Sequence, residues 1–210
     1  MDWNKIKDAI LSGDIPGIPT LVKEAISAGA SAEEILDNGL IAGMSVVGEK
    51  FKKSDIFVPE VLIAAKAMHA GLDILEPLLA ESNVKPKGKI IIGTVKGDLH
   101  DIGKNLVAMM LKGSGFLVMD LGIDVEPGRF VEEAIKNAVE IIAMSSLLTT
   151  SMPSMKAIIE LLKKQDPNKK IKTVIGGAPV TQEYANEIEA DGYADNASSA
   201  VDKVKELLGL

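Results

Sequence analysis

The sequence predicts an α/β protein: an N-terminal four-helix bundle followed by a five-stranded parallel sheet of flavodoxin/Rossmann-like type. Three observations carry this. Residues 1–82 show helical periodicity and helix-capping signals only. The stretch Ser82 to Gly88 is polar, contains Pro and Gly, and reads as a linker. After it, short apolar runs alternate with helical segments, the pattern of a parallel sheet covered by helices. The expected boundaries are therefore 1–82, a linker at 83–88, and 89–210.

In the first domain, Trp3, Ile6, Ile10 and Leu11 mark one apolar stripe. Ile18, Leu21, Val22, Ala25 and Ile26 mark a second, stopped near Gly29. Ser31 and Glu34 have the spacing of a capping box and open a third helix running through Phe51. Pro59 suits the first turn of a fourth, which carries Val61, Leu62, Ala65, Met68, Leu72 and Leu75. In the second domain the expected strands are Lys89–Val95, Phe116–Leu121, Glu140–Ser145 and Ile171–Ile175, with a short fifth near Tyr193. Helices are expected near 104–112, 128–138, 152–164, 180–190 and 198–208.

Composition narrows the function. The chain of 210 residues is 47% hydrophobic but only 3% aromatic, so its cores must be aliphatic. It has no cysteine, which excludes disulfides, thiolate metal sites and a cysteine nucleophile, and is compatible with a cytoplasmic location. The net charge of −7 argues against nucleic-acid partners, whose phosphates demand a basic surface. No apolar run approaches the ~20 residues that span a membrane. The N-terminal residues lack the apolar core of a signal peptide.

The most informative stretch runs from Gly97 to Asn105. It places His100 on a loop between a strand and a helix, at the edge where open α/β sheets bind ligands. Asp98, two residues earlier, is close enough to orient the imidazole; the plainer alternative is that Asp98 or Asp101 caps a helix. In flavodoxin-like order the loop after the third strand, with Ser145, Ser146, Thr149, Thr150 and Ser151, meets the His100 loop. A hydroxyl there could extend an Asp98–His100 pair. Gly176, Gly177 and Ala178 end the fourth strand, where small residues let a ligand approach the backbone. The spacing from Gly97 to Lys104 is not that of a phosphate loop. The other histidine, His69, lies inside the fourth helix and reads as structural. No residues with metal-ligand spacing accompany His100, so a metal there would need ligands from another source, such as a macrocycle.

These residues resemble those of the corrinoid (cobalamin-binding) proteins of methyltransferase systems, and the matching two-domain region of cobalamin-dependent methionine synthase. The match covers Asp98, His100 and Gly103; the run Ser145 to Ser151; Gly176-Gly177-Ala178; and Asn196-Ala197-Ser198. In the helical half it covers Gly43 to Gly48 with Phe51, and Phe57 to Val61. Ser146 stands where methionine synthase has Gly, Thr150 where it has Pro, and Val58 where it has a bulkier aliphatic residue.

The resemblance implies a helical cap over a cobalamin-binding domain. It implies His100 as the cobalt ligand, with Asp98 and Ser151 as a hydrogen-bonded relay behind it. Leu99, Asp101, Ile102, Gly103 and Leu147 would also contact the cofactor, cobalamin or a related corrinoid. Ser145, Thr149, Gly176, Gly177, Ala178 and Ala197 would line the channel for its nucleotide tail. Met44, Val47, Phe51 and Val58 would cover the other face of the corrin, with Asp37 reaching a side-chain amide. The implied role is a carrier that accepts a methyl group on Co(I) and donates it onward, a component of a methyltransferase rather than a complete enzyme. Its partners would be a substrate-specific methyltransferase, an acceptor methyltransferase and a reductive activator. Two alternatives stay open: a cobalamin-dependent sensor or regulator, and a mutase small subunit.

Overall fold

The structure is a computed structural model describing residues 2–81, 86–168 and 170–210. Asn83, Val84 and Lys85 of the expected linker lie outside the described residues. The chain divides into two compact units, Met1–Pro86 with Gly113–Gly115, and Lys87–Lys112 with Phe116–Leu210.

The first unit holds α1 (Asn4–Ser12), α2 (Gly17–Ser27), α3 (Ala32–Glu34), α4 (Ala42–Lys52) and α5 (Val58–Glu81). A π-helical segment, Ile35–Ile41, joins α3 to α4, so the third expected helix is one continuous winding with a widened middle. It starts where the sequence signals it: the Ser31 hydroxyl accepts the Glu34 N–H at 3.1 Å, and the Glu34 carboxylate accepts the Ser31 N–H at 2.9 Å. Ile6, Ile10, Ile18, Ile35, Leu40 and Leu75 are completely buried or nearly so and form the aliphatic core. Small residues let the helices close on each other. A Cβ on Gly71 would lie 2.9 Å from Leu40 and 3.0 Å from Ile18.

The second unit alternates β1 (Lys89–Thr94), α6 (Ile102–Gly113), β2 (Leu117–Asp120), α7 (Pro127–Lys136), β3 (Ile141–Ser145), α8 (Pro153–Gln165), β4 (Lys172–Gly176), α9 (Gln182–Glu187), β5 (Gly192–Ala194) and α10 (Ala197–Leu208). The strands pair in parallel in the order β2-β1-β3-β4-β5. Helices on both faces bury the central strands on both sides, which is why they read as unbroken apolar runs. Ile90, Ile91, Ile141 and Ile142 are fully buried. Gly93 leaves room for Phe130 of α7, whose ring would stand 2.7 Å from a Cβ there.

Strand ends differ from expectation by about a residue. Val95, expected in the first strand, leaves the sheet and makes a single parallel bridge to Val125. At the carboxyl edge, Thr94, Ser145, Gly176 and Ala194 stand in register across four strands. The connections leave in opposite directions from β1 and β3, so the crevice that such a reversal opens lies between their loops.

Candidate functional site

The loop after β1 is held from several sides. The buried Thr94 donates its hydroxyl to the His100 carbonyl at 2.7 Å. Gly97 adopts the left-handed conformation, φ +84°, that lets the chain turn back. Its N–H donates to Asp124 Oδ1 at 2.7 Å, and the Asp124 N–H donates to the Asp98 carbonyl at 3.0 Å. At the start of α6, the buried Lys104 ammonium is paired with Asp120 and with the Asn105 side chain.

The Asp98 side chain is completely buried. Its Oδ1 accepts the His100 N–H at 2.9 Å and contacts His100 Nδ1 at 2.7 Å. Its Oδ2 accepts the N–H groups of Leu147 at 2.5 Å and Leu148 at 3.2 Å, and lies 3.2 Å from Ser151 Oγ. Burial by itself would raise this carboxyl. The donors from the His100 backbone, Leu147, the His100 ring and Leu148 outweigh it and hold the carboxyl down at about 2. None of these bonds is a helix cap, so the capping alternative for Asp98 does not hold.

An ionised carboxylate only accepts. The Nδ1 contact therefore carries a proton donated by the ring, and in the neutral imidazole the lone pair lies on Nε2. The His100 side chain is 53% exposed. The loops after β1, β2 and β3, with the first turn of α6, carry exposed apolar residues: Leu99, Ile102 (78% exposed), Ile123, Leu147 and Leu148. A Cβ on Gly103 would meet nothing within 4 Å, so the space beside α6 is open. The edge thus presents one fixed nitrogen lone pair on a largely apolar surface, which suits a large apolar cofactor bearing a metal. Among the described residues no three His, Cys, Asp or Glu side chains gather as metal ligands, so the other ligands would arrive with the cofactor.

The remaining sequence candidates fall into three groups. On the second loop, Ser145 is half-buried and Thr149 exposed, while Ser146 and Ser151 are buried. The Ser146 and Ser151 hydroxyls meet each other, Asp98 and the Leu148 carbonyl rather than the first turn of α8. On the third loop, Gly176 and Gly177 approach neighbouring backbone closely. A Cβ would lie 2.8 Å from the Ala194 carbonyl oxygen at Gly176 and 1.8 Å from that of Ser146 at Gly177, where φ is +128°. Ala178 is exposed, and Ala197 is buried at the start of α10, which Asn196 caps by accepting the Ser198 and Ser199 N–H groups. In the helical unit, Met44 and Val47 are buried, Phe51 and Val58 half-buried, and Asp37 exposed. Asp101 is exposed and accepts from the Asn105 side chain at 3.1 Å.

Sequence reasoning missed Thr94, Ile123 and Asp124, and gave Leu148 no role beyond its place in the matched run. Thr94 left a signal, a hydroxyl ending an apolar strand. Asp124 left almost none, because its partner Gly97 is 27 residues away.

The fold and this edge describe a class, α/β proteins whose sheet edge could seat a metal-bearing cofactor on one imidazole. Comparison with known families makes the class specific. A model described as B12 binding domain matches residues 88–202, and a second of the same description matches residues 3–76. The chain belongs to this B12-binding family. It is 44% identical over 206 residues to trimethylamine corrinoid protein 1 of Methanosarcina mazei, covering 97% of this chain and 95% of the relative. It is 43% identical over 210 residues to dimethylamine corrinoid protein 1 of Methanosarcina acetivorans, covering 96% and 99%. Among solved structures it resembles a cobalamin-binding protein from Desulfitobacterium hafniense, with TM-score 0.83, 31% identity and coverage of 99% and 98%. It also resembles the methanol:cobalamin methyltransferase complex MtaBC of Methanosarcina barkeri, with TM-score 0.86, 29% identity and coverage of 97% and 78%.

Proposed function

We propose that this chain is the corrinoid-carrying subunit of a methyl-transfer system. It works between a substrate-specific methyltransferase that loads the methyl group and an acceptor methyltransferase that removes it. The likeness to methylamine corrinoid proteins and to MtaBC supports this reading. The observation that carries it is the buried Asp98 carboxylate holding a proton on His100 Nδ1 and leaving Nε2 free.

In this reading His100 Nε2 would hold the cobalt of a corrinoid. When bound, the corrinoid's cobalt supplies the methyl-accepting and methyl-donating chemistry. Asp98 keeps the imidazole in the ligating tautomer, and Ser151 holds Asp98. Leu99, Ile102 and Leu147 offer the apolar surface, with Asp101 at its polar border and Gly103 leaving room. Ser145, Thr149, Gly176, Gly177, Ala178 and Ala197 attend the nucleotide tail. Asp37, Met44, Val47, Phe51 and Val58 of the helical unit are assigned to the corrinoid as well. A reductive activator and a cytoplasmic location complete the reading. Among the described residues no helix is long and apolar enough to cross a membrane.

The test is reconstitution with cobalamin, followed by electron paramagnetic resonance of the Co(II) state with and without nitrogen-15 histidine. One corrinoid per chain and a label-dependent nitrogen splitting are expected. A splitting indifferent to the label removes His100 as the ligand.

A further inference from the structure

The Asp98–Ser151 contact does not end at Ser151. Ser146, fully buried, places its Oγ 2.7 Å from Ser151 Oγ. Its backbone is pinned between loops: the Ser146 N–H donates to the Gly176 carbonyl at 3.1 Å, and Gly177 packs so closely on Ser146 that no side chain fits between. The Leu148 carbonyl lies 3.1 Å from Ser146 Oγ and 2.9 Å from Ser151 Oγ.

Each hydroxyl has one proton to give. Two hydroxyl oxygens at 2.7 Å need a proton between them. If Ser146 supplies it, Ser151 is free to donate to Asp98 Oδ2. If Ser151 supplies it, Ser146 turns to the Leu148 carbonyl and Asp98 loses its hydroxyl donor. The orientation of Ser146 therefore decides whether Asp98 keeps that bond. The chain Ser146 to Ser151 to Asp98 ends on an ionised carboxylate, the strongest acceptor present, and successive bonds in such a chain reinforce each other.

We propose that Ser146 is a positioning residue that directs the Ser151 hydroxyl proton onto Asp98. Each donor on Asp98 draws electron density from the carboxylate and weakens its pull on the His100 Nδ1 proton. Ser146, whose hydroxyl meets Ser151 and the Leu148 carbonyl, acts at one remove and thereby sets how strongly Nε2 can donate to a metal. This rests on the corrinoid reading for its purpose, but not for its test, which uses cofactor-free protein.

The experiment measures the His100 ring nitrogen-15 shifts through the ring C–H protons, at alkaline pH where an imidazole is neutral. In Ser146→Ala, Ser151 loses the donor that polarises its hydroxyl, so its bond to Asp98 at 3.2 Å weakens. The less-solvated carboxylate pulls harder, and the Nδ1 resonance moves downfield. Ser151→Ala removes the bond outright and gives a downfield shift at least as large. Adding Ser146→Ala to Ser151→Ala then changes nothing further, because Ser146 acts only through Ser151. In cobalamin-loaded Ser146→Ala the Co(II)/Co(I) midpoint moves to a more negative potential. An unmoved Nδ1 resonance in Ser146→Ala overturns the proposal, as does a Ser146→Ala shift that persists in the Ser151→Ala background. Failure of cobalamin to bind with the shifts as expected would strike the carrier reading and leave the hydroxyl pair standing.

Discussion

Asp98→Asn tests the centre of the argument. The substitution keeps the shape and removes the charge, so five donors to Asp98 must adapt. If the new amide nitrogen faces Leu147 and Leu148, it meets two N–H groups. If it replaces Oδ1, it meets one, the His100 N–H, and it can donate to Nδ1. The second placement costs less and forces the ring to give up its Nδ1 proton, so Nε2 becomes the N–H. A buried donor left unsatisfied costs about 1–3 kcal/mol, and exchanging charged for neutral hydrogen bonds costs about 1 kcal/mol more at each retained contact. With partial relaxation the expected loss of stability is about 2–4 kcal/mol, readable by urea unfolding of the cofactor-free protein. Nitrogen-15 spectra should show Nε2 protonated and Nδ1 bare, and the Co(II) resonance should lose its histidine splitting. A stability loss under about 1 kcal/mol together with an unprotonated Nε2 would refute the reasoning.

Further outcomes follow from the same geometry. The Asp98 carboxyl sits at about 2 in the folded protein, below the usual 3.8. Its stabilisation is therefore complete above pH 3.8 and fades as the pH falls toward 2, so the gap between wild type and Asp98→Asn should narrow in acid titrations of unfolding. Gly177→Ala would put a Cβ 1.8 Å from the Ser146 carbonyl oxygen at φ +128°, and should cost more than about 3 kcal/mol or prevent folding, as judged by circular dichroism. Gly103→Ala meets open space and should change the stability of cofactor-free protein by less than about 1 kcal/mol, whereas Gly103→Leu should fold and lose cobalamin affinity by titration. Asp124→Ala removes the acceptor for the Gly97 N–H and should speed hydrogen exchange at Gly97, while Asp124→Asn, which keeps an acceptor and tolerates φ +51°, should restore protection.

Local chemistry along the chain is enough to set the element order. Ser31 and Glu34 announced their helix because a capping box involves only neighbours in the chain. The apolar runs announced β1, β3 and β4 because strands buried on both faces tolerate little else. His100 and Asp98 could be paired because two residues separate them. The resemblance to corrinoid proteins then named the cofactor, since motifs in both halves occur in the family's order.

Tertiary structure decided what lies between distant residues. The sequence placed Ser146, Ser151 and Asp98 on loops of adjacent strands. Only the packed sheet shows the Leu147 and Leu148 N–H groups turned onto Asp98, 49 and 50 residues away. Gly177 reads from the sequence as a small residue at a strand end; in the fold it also packs against the Ser146 backbone. Asp124, to which the sequence gives no role, latches the loop that carries the histidine. Hydrophobic periodicity and capping act along the chain and can be read from it. The ionisation of Asp98 and the tautomer of His100 depend on a count of donors gathered by folding, and no single segment contains that count.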